Sequence, residues 1–195
     1  LLGEYADVFV PAFGSHQAAN AGSAVVAVES FLGRDGQPLN IDIVREGFDQ
    51  IDTSGRLQVV RKDPPILVDS AHNPHGARSL AQALQDSFSF SRIVGVVGVL
   101  RDKDAAGILV ELDSVFDALV VTSPSSPRAL PTAELAEISR VEFRNKIVVP
   151  EPLLPNAIER AVTLAEEGLD GQSSQVAVVI CGSVSLVGEA LTLLL

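Results

Sequence analysis

Six short apolar runs lie between residues 57 and 180 and predict six β-strands. The runs are Leu57–Val60, Ile66–Val68, Ile93–Val99, Ala118–Val121, Ile147–Val149 and Val176–Ile180. Several are β-branched and continuous, which is typical of strands buried on both faces. Helical patterns follow five of them, at about 74–85, 104–112, 132–138, 155–167 and 184–194. This alternation predicts an α/β fold with a doubly wound, mostly parallel sheet and right-handed crossovers.

The first 54 residues follow a different pattern and are too few to build a core of their own. We predict a strand at Asp7–Phe13, a helix from Ser15 to about Leu32 ended by Gly33, and a helix over Ile41–Phe48 capped by Asn40. The first helix has an apolar face whose packing partner is largely absent from the sequence. We therefore expect two parts: residues 1–54 as the tail and linker of a preceding domain, and residues 55–195 as the α/β domain.

Composition narrows the class of protein. The 195 residues are 47% hydrophobic and carry a net charge of −11, which disfavours a nucleic-acid partner because no basic patch opposes it. The apolar runs are shorter than the ~20 residues that cross a bilayer, so we expect no membrane partner. A single cysteine excludes an internal disulfide and fits the cytoplasm. The sequence has no methionine and opens within apparent structure, so we expect the C-terminal portion of a longer chain.

Polar residues gather in the turns that follow the predicted strands. Because the carboxyl ends of parallel strands meet at one edge of a sheet, we expect these turns to define a site there. Acids in the turns suit hydroxyl or ammonium groups, and Arg and Lys suit phosphate or carboxylate. The pattern favours a small, polar, anionic substrate. The turns are Asp69–Asn73, Arg101–Asp104, Thr122–Arg128 and Gly182–Ser183.

Each of these residues also has a purely structural interpretation. An acid at a helix start complements the helix dipole, a serine there can be a simple N-cap, and exposed cations or imidazoles can be merely solvated. These alternatives apply in turn to Asp69 and Asp104, to Ser183, and to Arg101, Lys103 and His72. It is their convergence on one sheet edge that favours a site.

Several common motifs are absent from the sequence. No G-x-G-x-x-G follows a strand, no G-x-x-x-x-G-K-[ST] loop is present, and G-x-S-x-G is missing. Three scattered His and one Cys offer no zinc-type cluster, so we predict no metal ligand in this chain. Cys181 is expected to be an inert buried thiol.

The segment 67–74, LVDSAHNP, closely resembles the D-x-A-H-N-P signature of the folylpolyglutamate synthase and dihydrofolate synthase family, within the Mur ligase superfamily. Further segments match that family in order: 15–21 its H-Q-x-x-N-A, 55–58 its G-R-x-E, 102–104 its D-K-D, 126–129 its p-R-A and 181–183 its G-S turn. Gln58 stands where the family has Glu, which leaves the role of that carboxylate open.

The resemblance implies a cytoplasmic ATP-dependent ligase of folate biosynthesis and one-carbon metabolism. ATP would convert a folate or dihydropteroate carboxylate to an acyl phosphate, and the amine of L-glutamate would attack it to give an amide, ADP and phosphate. Residues 55–195 would be the Rossmann-like glutamate-binding domain and residues 1–54 the remnant of the central ATPase domain. That domain would hold the phosphate loop and the Mg²⁺ ligands, so we expect this chain alone to be inactive.

The resemblance also assigns roles to individual residues. Asn20 would contact the adenine of ATP, Arg56 its phosphates and Asp69 its ribose hydroxyls. His72, Lys103 and Ser183 would hold the incoming glutamate, with Arg128 in the same pocket, and His72 and Lys103 are the catalytic candidates. Two other readings stay open: a non-catalytic nucleotide- or amino-acid-binding module, and a peptidoglycan-type Mur ligase domain.

Overall fold

A computed structural model describes residues 2–32, 36–167 and 176–195 of the chain. The chain divides into two compact units, Leu1–Ser54 and Gly55–Leu195. Within the described residues, no helix is both long and apolar enough to cross a membrane.

The first unit contains the helices α1 (Ser15–Leu32) and α2 (Ile41–Asp49). Helices and strands alternate through the second unit, whose helices are α3 (Pro74–Ser87), α4 (Ala105–Asp113), α5 (Thr132–Glu142), α6 (Leu154–Glu166) and α7 (Val184–Leu194). The strands are β1 (Gln58–Lys62), β2 (Pro65–Val68), β3 (Arg92–Val97), β4 (Ala118–Val121), β5 (Ile147–Pro150) and β6 (Val176–Cys181). All six predicted strands are present, each with bounds within two residues of the prediction.

The strands form one sheet in the order β1-β2-β6-β3-β4-β5. Strands β2 to β6 all run parallel to one another. The edge strand β1 pairs antiparallel with β2, with an irregular register between Val59 and Arg61. The α/β, mostly parallel prediction is therefore confirmed.

Alternate residues of the central strands face two separate apolar cores. In β6, Ala177, Val179 and Cys181 face the core that contains α3, α4 and α5. Val178 and Ile180 face the core that contains α6 and α7. Helices therefore cover both faces of the sheet, and this explains why the central strands are continuous apolar runs.

Side chains cap three of the helices that start at the carboxyl edge of the sheet. Asn73 accepts from the Gly76 N–H at 2.8 Å, and Asp104 accepts from the Gly107 N–H at 2.9 Å. Ser183 accepts from the first turn of α7. Capping ends each polar turn at a defined residue, which fixes where the preceding side chains emerge.

The first unit contains α1 and α2, and the prediction for the segment before α1 is wrong. Residues 7–13 form no strand: Asp7 has a left-handed φ of 56°, and Pro11 lacks an N–H. A strand needs a neighbouring strand to receive its backbone hydrogen bonds, and residues 7–13 take part in no strand ladder within the described part of the chain. The Asn40 cap of α2 is confirmed by its 2.8 Å bond from the Asp42 N–H. The predicted stop at Gly33 lies outside the described residues.

Candidate functional site at the carboxyl edge of the sheet

At the carboxyl ends of β6 and β3 the chain departs in opposite directions. After β6 it enters α7, which packs toward β1 and β2, whereas after β3 it proceeds through α4 to β4. Open α/β sheets bind ligands at such a switch point. The backbones are close here: a Cβ at Gly182, whose φ is 102°, would lie 2.8 Å from the carbonyl oxygen of Gly98.

The turn after β2 lies beside the carboxyl end of β6. The Gly182 N–H donates to the Ala71 carbonyl at 2.9 Å, and the Asp69 N–H donates to the Ile180 carbonyl at 2.9 Å. The predicted turns Asp69–Asn73 and Gly182–Ser183 are thus directly bonded to each other. The sheet brings both turns together with the one that starts at Gly98.

Asp69 uses its carboxylate to hold the backbone around it. Oδ2 accepts from the Leu57 N–H and Oδ1 accepts from the Ala71 N–H, each at 2.8 Å. The carboxylate is half-buried at the end of β2.

His72 has a defined ring orientation. Its Nδ1 lies 2.9 Å from the carbonyl oxygen of Ser70. A carbonyl can only accept, so Nδ1 must carry the proton, and the neutral ring then presents Nε2 as an acceptor. The half-buried imidazole can therefore receive a hydrogen bond or a proton from an amine.

The turns after β3 and β4 are joined by backbone bonds that place Arg128 beside Asp102 and Lys103. The Arg101 N–H donates to the Arg128 carbonyl at 2.8 Å, and Leu100 forms a bridge with Ala129. Two cations then share one carboxylate: Lys103 Nζ lies 3.4 Å from Asp102 Oδ2, and Arg128 lies 3.7 Å from Oδ1. The Lys103 side chain is 33% exposed and that of Arg128 is 67% exposed.

The pKa of Asp102 lies below its ordinary value. Desolvation, the largest single influence, raises it, but a backbone hydrogen bond and the charges of Lys103 and Arg128 together outweigh that effect. Asp102 belongs to the D-K-D segment, yet no sequence pattern indicated that its carboxylate would be the shared counter-ion. Only the pairing of the two turns makes that visible.

Ser183 is buried and serves as the N-cap of α7. Its Oγ accepts from the N–H of Ser185 at 3.2 Å and of Leu186 at 3.5 Å, and it bonds the Ser185 hydroxyl at 2.7 Å. The structural interpretation of this serine therefore holds. Ser183 lies at the carboxyl end of β6, as expected for the site, but its hydroxyl is largely engaged by its own helix.

Arg56 projects from a turn that is fixed on both sides. Gly55, with a left-handed φ of 68°, accepts from the Ser70 N–H at 2.8 Å through its carbonyl. Its own N–H donates to Gln58 Oε1 at 2.9 Å. Gln58 thus closes the turn with an oxygen that a Glu would equally offer, while the Arg56 side chain stays exposed.

Asn20 belongs to the first unit and is exposed on α1. Its side-chain amide donates to Gln17 Oε1 at 3.2 Å. Two further observations limit the chemistry. Burial raises the pKa of the Cys181 thiol, so it is no thiolate nucleophile at neutral pH. Among the described residues, no three His, Cys, Asp or Glu side chains form a metal-binding group.

Several hydroxyl groups of the predicted site are engaged by hydrogen bonds within the protein. The hydroxyls that follow β4 bond the surrounding structure: Thr122 to the Pro152 carbonyl and Ser123 to the Leu130 carbonyl. Ser125 bonds the carboxylate of Glu189 on α7. Of the turn after β4, Arg128 is the residue that joins the cluster around Asp102.

The chain resembles known proteins over nearly all of its length. Residues 55–184 match the family model described as "Mur ligase, glutamate ligase domain". A dihydrofolate synthase/folylpolyglutamate synthase from Mycobacterium tuberculosis is 42% identical over 99% of this chain and 41% of its own length. The chain thus spans about two fifths of that relative.

Solved structures show the same likeness. Mycobacterium tuberculosis folylpolyglutamate synthase, complexed with ADP and AMPPCP, superimposes with a TM-score of 0.90 at 41% identity. The match covers 97% of this chain and 42% of that one. A bifunctional folylpolyglutamate synthase/dihydrofolate synthase with Mn, AMPPNP and L-glutamate bound gives a TM-score of 0.75 at 29% identity, over 96% of this chain and 41% of its own.

Proposed function

We propose, from the fact that this chain belongs to the Mur ligase glutamate-ligase-domain family, that its second unit holds L-glutamate for an ATP-dependent amide-forming ligase. The acceptor would be a folate or dihydropteroate carboxylate, in keeping with the names of the relatives. The observation that carries the proposal is that His72 and Lys103 lie in turns at the carboxyl edge of the sheet, directly before the helices α3 and α4, whose first turns are in contact.

The proposed reaction proceeds in two balanced steps. The acceptor carboxylate takes the γ-phosphoryl group of ATP, giving an acyl phosphate and ADP. The glutamate amine then attacks the acyl carbon, phosphate leaves, and the amine loses a proton. An acyl phosphate hydrolyses readily, so its shielding from water would be part of the catalyst.

His72 suits the attacking amine. Because Nδ1 donates to Ser70, the free Nε2 can accept an N–H of the amine and take its proton during attack.

Lys103 and Arg128 suit the carboxylates of glutamate. Their shared partner Asp102 is an exposed carboxylate bound through loose contacts of 3.4 and 3.7 Å. Such contacts contribute little in water, so a substrate carboxylate can replace Asp102 as partner of either cation at small cost. Ser183 is proposed to contribute through its position in the turn after β6, which is bonded to the turn that contains His72, rather than through a free hydroxyl.

Within the second unit, Arg56 and Asp69 are proposed to contact ATP. For Asn20, in the first unit, the proposed contact with adenine is supported by the family resemblance alone. The fixed turn at Gly55 holds Arg56 with its guanidinium exposed, as phosphate binding requires. The carboxylate of Asp69 is of the type that accepts hydrogen bonds from ribose hydroxyls. The relatives bind ATP analogues, and one binds Mn; we assign no ligand of a divalent ion to this chain.

Residues 1–54 are proposed to be the C-terminal remnant of an ATPase domain. On α1, Phe31 is 87% exposed and Leu32 is 60% exposed. Large apolar side chains at this exposure support a covering partner. The buried, unpaired thiol of Cys181 is compatible with the reducing cytoplasm, which we propose as the compartment.

The experiment compares steady-state kinetics of variants of the full-length protein. His72→Ala or Lys103→Ala should raise the KM for glutamate about ten-fold or more, because each removes a hydrogen bond involving a charged group. The KM for ATP should change far less. His75→Ala is the matched control, since His75 lies exposed within α3, three residues beyond His72.

Two results would contradict the proposal. If the full-length protein forms ADP without dependence on glutamate, the ligase function is wrong. If the His72 and Lys103 variants raise the KM for ATP instead of glutamate, the pocket assignment is wrong. The 195-residue chain by itself is expected to release no phosphate from ATP.

A further inference from the structure

The first turns of α3 and α4 touch, and a glycine permits their close approach. A Cβ at Gly107 would lie 2.8 Å from Cγ of Pro74 and 2.3 Å from Oδ2 of Asp104. Ordinary contacts of a Cβ begin near 3.4 Å. An alanine at this position must therefore push the two helix starts apart or displace the Asp104 cap.

A second contact between the same helices lies one turn further along each. Arg78, one turn after Pro74, donates through Nε to Glu111 Oε2 at 3.0 Å and through a terminal nitrogen to Oε1 at 2.5 Å. Glu111 lies one turn after Gly107. The matching steps show that α3 and α4 run side by side in a fixed parallel register.

The two candidate substrate residues lie directly before the helices that make this contact. His72 directly precedes the cap Asn73 of α3, and Lys103 directly precedes the cap Asp104 of α4. A shift between the two first turns therefore moves His72 relative to Lys103. No side chain at Gly107 intervenes between the turns.

We propose that Gly107 is a positioning residue: its missing side chain sets the distance between the His72 and Lys103 turns, and hence the width of the glutamate pocket. The inference rests on the proposed function. A glutamate held by His72 at its amine and by Lys103 at a carboxylate fits one separation of the two turns, so a shift of several tenths of an ångström lengthens one of these hydrogen bonds and weakens binding.

The test is Gly107→Ala in the full-length protein. The KM for glutamate should rise about ten-fold, while the KM for ATP and kcat at saturating glutamate change by about two-fold or less. Gly188→Ala in α7 is the matched control, because a Cβ there meets nothing within 4 Å in the described part of the chain. That variant should keep both KM values.

A double variant separates positioning from loss of the cap. Pro74→Ala removes the Cγ that a Cβ at Gly107 would strike. Combined with Gly107→Ala, it should lower the KM for glutamate again, at least in part. If the double variant binds glutamate no better than Gly107→Ala, the positioning role is overturned.

The remaining outcomes are also decisive. An unchanged KM for glutamate in folded Gly107→Ala overturns the inference, and so does an equal rise in the KM values for glutamate and ATP. If Gly107→Ala does not fold, Glu111→Gln tests the same register through its bond to Arg78. A rise in the KM for glutamate alone supports the inference, and no rise refutes it. A parent protein without glutamate-dependent activity defeats the proposed function itself, a result distinct from these.

Discussion

The carboxylate of Asp69 anchors the start of β1 to the end of β2, and Asp69→Asn removes half of that anchor. Oδ1 and Oδ2 each accept a backbone N–H at 2.8 Å, from Ala71 and Leu57. Asn has one acceptor oxygen, so its NH₂ group must face the other N–H. Leu57 is only 2% exposed, so its N–H cannot readily find water instead.

The cost follows from these two bonds. One charge-assisted hydrogen bond is lost, at about 1.5–3 kcal/mol, and the other weakens because the acceptor is no longer charged. We expect the free energy of unfolding to fall by roughly 2–4 kcal/mol. That is a large share of the 5–15 kcal/mol that is ordinary for a folded protein.

Urea unfolding of the 195-residue chain, followed by far-UV circular dichroism, measures this change. The midpoint should fall by about 1 M or more. Asp86→Asn is the matched control, because Asp86 is exposed and accepts from Gln82 in the same helix, at 2.8 Å; its effect should stay within about 0.5 kcal/mol. Equal midpoints for the two variants would refute the anchoring argument.

Three other expectations concern the core, the thiol and pH. Phe116→Ala should lower the free energy of unfolding by about 3–5 kcal/mol in urea, because the ring fills the space where Gly95 has no side chain; a loss below about 1 kcal/mol would contradict that packing. The Cys181 thiol should react with a colourless disulfide reagent only after unfolding, since it is fully buried; fast labelling of the native chain would show otherwise. The hydrogen bonds from Arg78 hold the pKa of Glu111 below its ordinary 4.5, so their stabilisation is complete above that pH and is lost as pH falls through the lowered value. Glu111→Gln should therefore lose less stability than the parent chain between about pH 5 and pH 3, and parallel stability curves would exclude this linkage.

The sheet could be predicted because its strands report their own burial. Runs such as Ile66–Val68 are apolar at every position, as two-sided burial demands, and polar turns end them sharply. The cap at Asn73 and the proline after it were equally visible in the sequence. The family resemblance, which rested on 67–74 and the segments around it, is confirmed by the family model.

The failed strand at residues 7–13 shows what local pattern lacks. Apolar residues such as Phe9 favour a strand, but a strand forms only beside a partner, and Phe9 is 69% exposed. Sequence periodicity does not specify that partner. The same limit explains the end of β1, where pairing with β2 extends the strand to Lys62, beyond the apolar run.

The structure places the turns that contain His72, Lys103 and Ser183 at the carboxyl edge of the sheet, as the order of strands and polar turns predicted. Their role as a binding site stays a prediction. Two features could not be predicted from the sequence: the sharing of Asp102 by Lys103 and Arg128, and the contact of Gly107 with Pro74. Both depend on residues that are far apart in the sequence and meet in space.

A crystal structure of the full-length protein with L-glutamate and a non-hydrolysable ATP analogue tests the central claim most directly. We expect a glutamate carboxylate oxygen within about 3.2 Å of Lys103 Nζ and the glutamate amine within about 3.2 Å of His72 Nε2. Glutamate bound elsewhere, with neither side chain within hydrogen-bond reach, would contradict the assignment of this sheet edge as the amino-acid site.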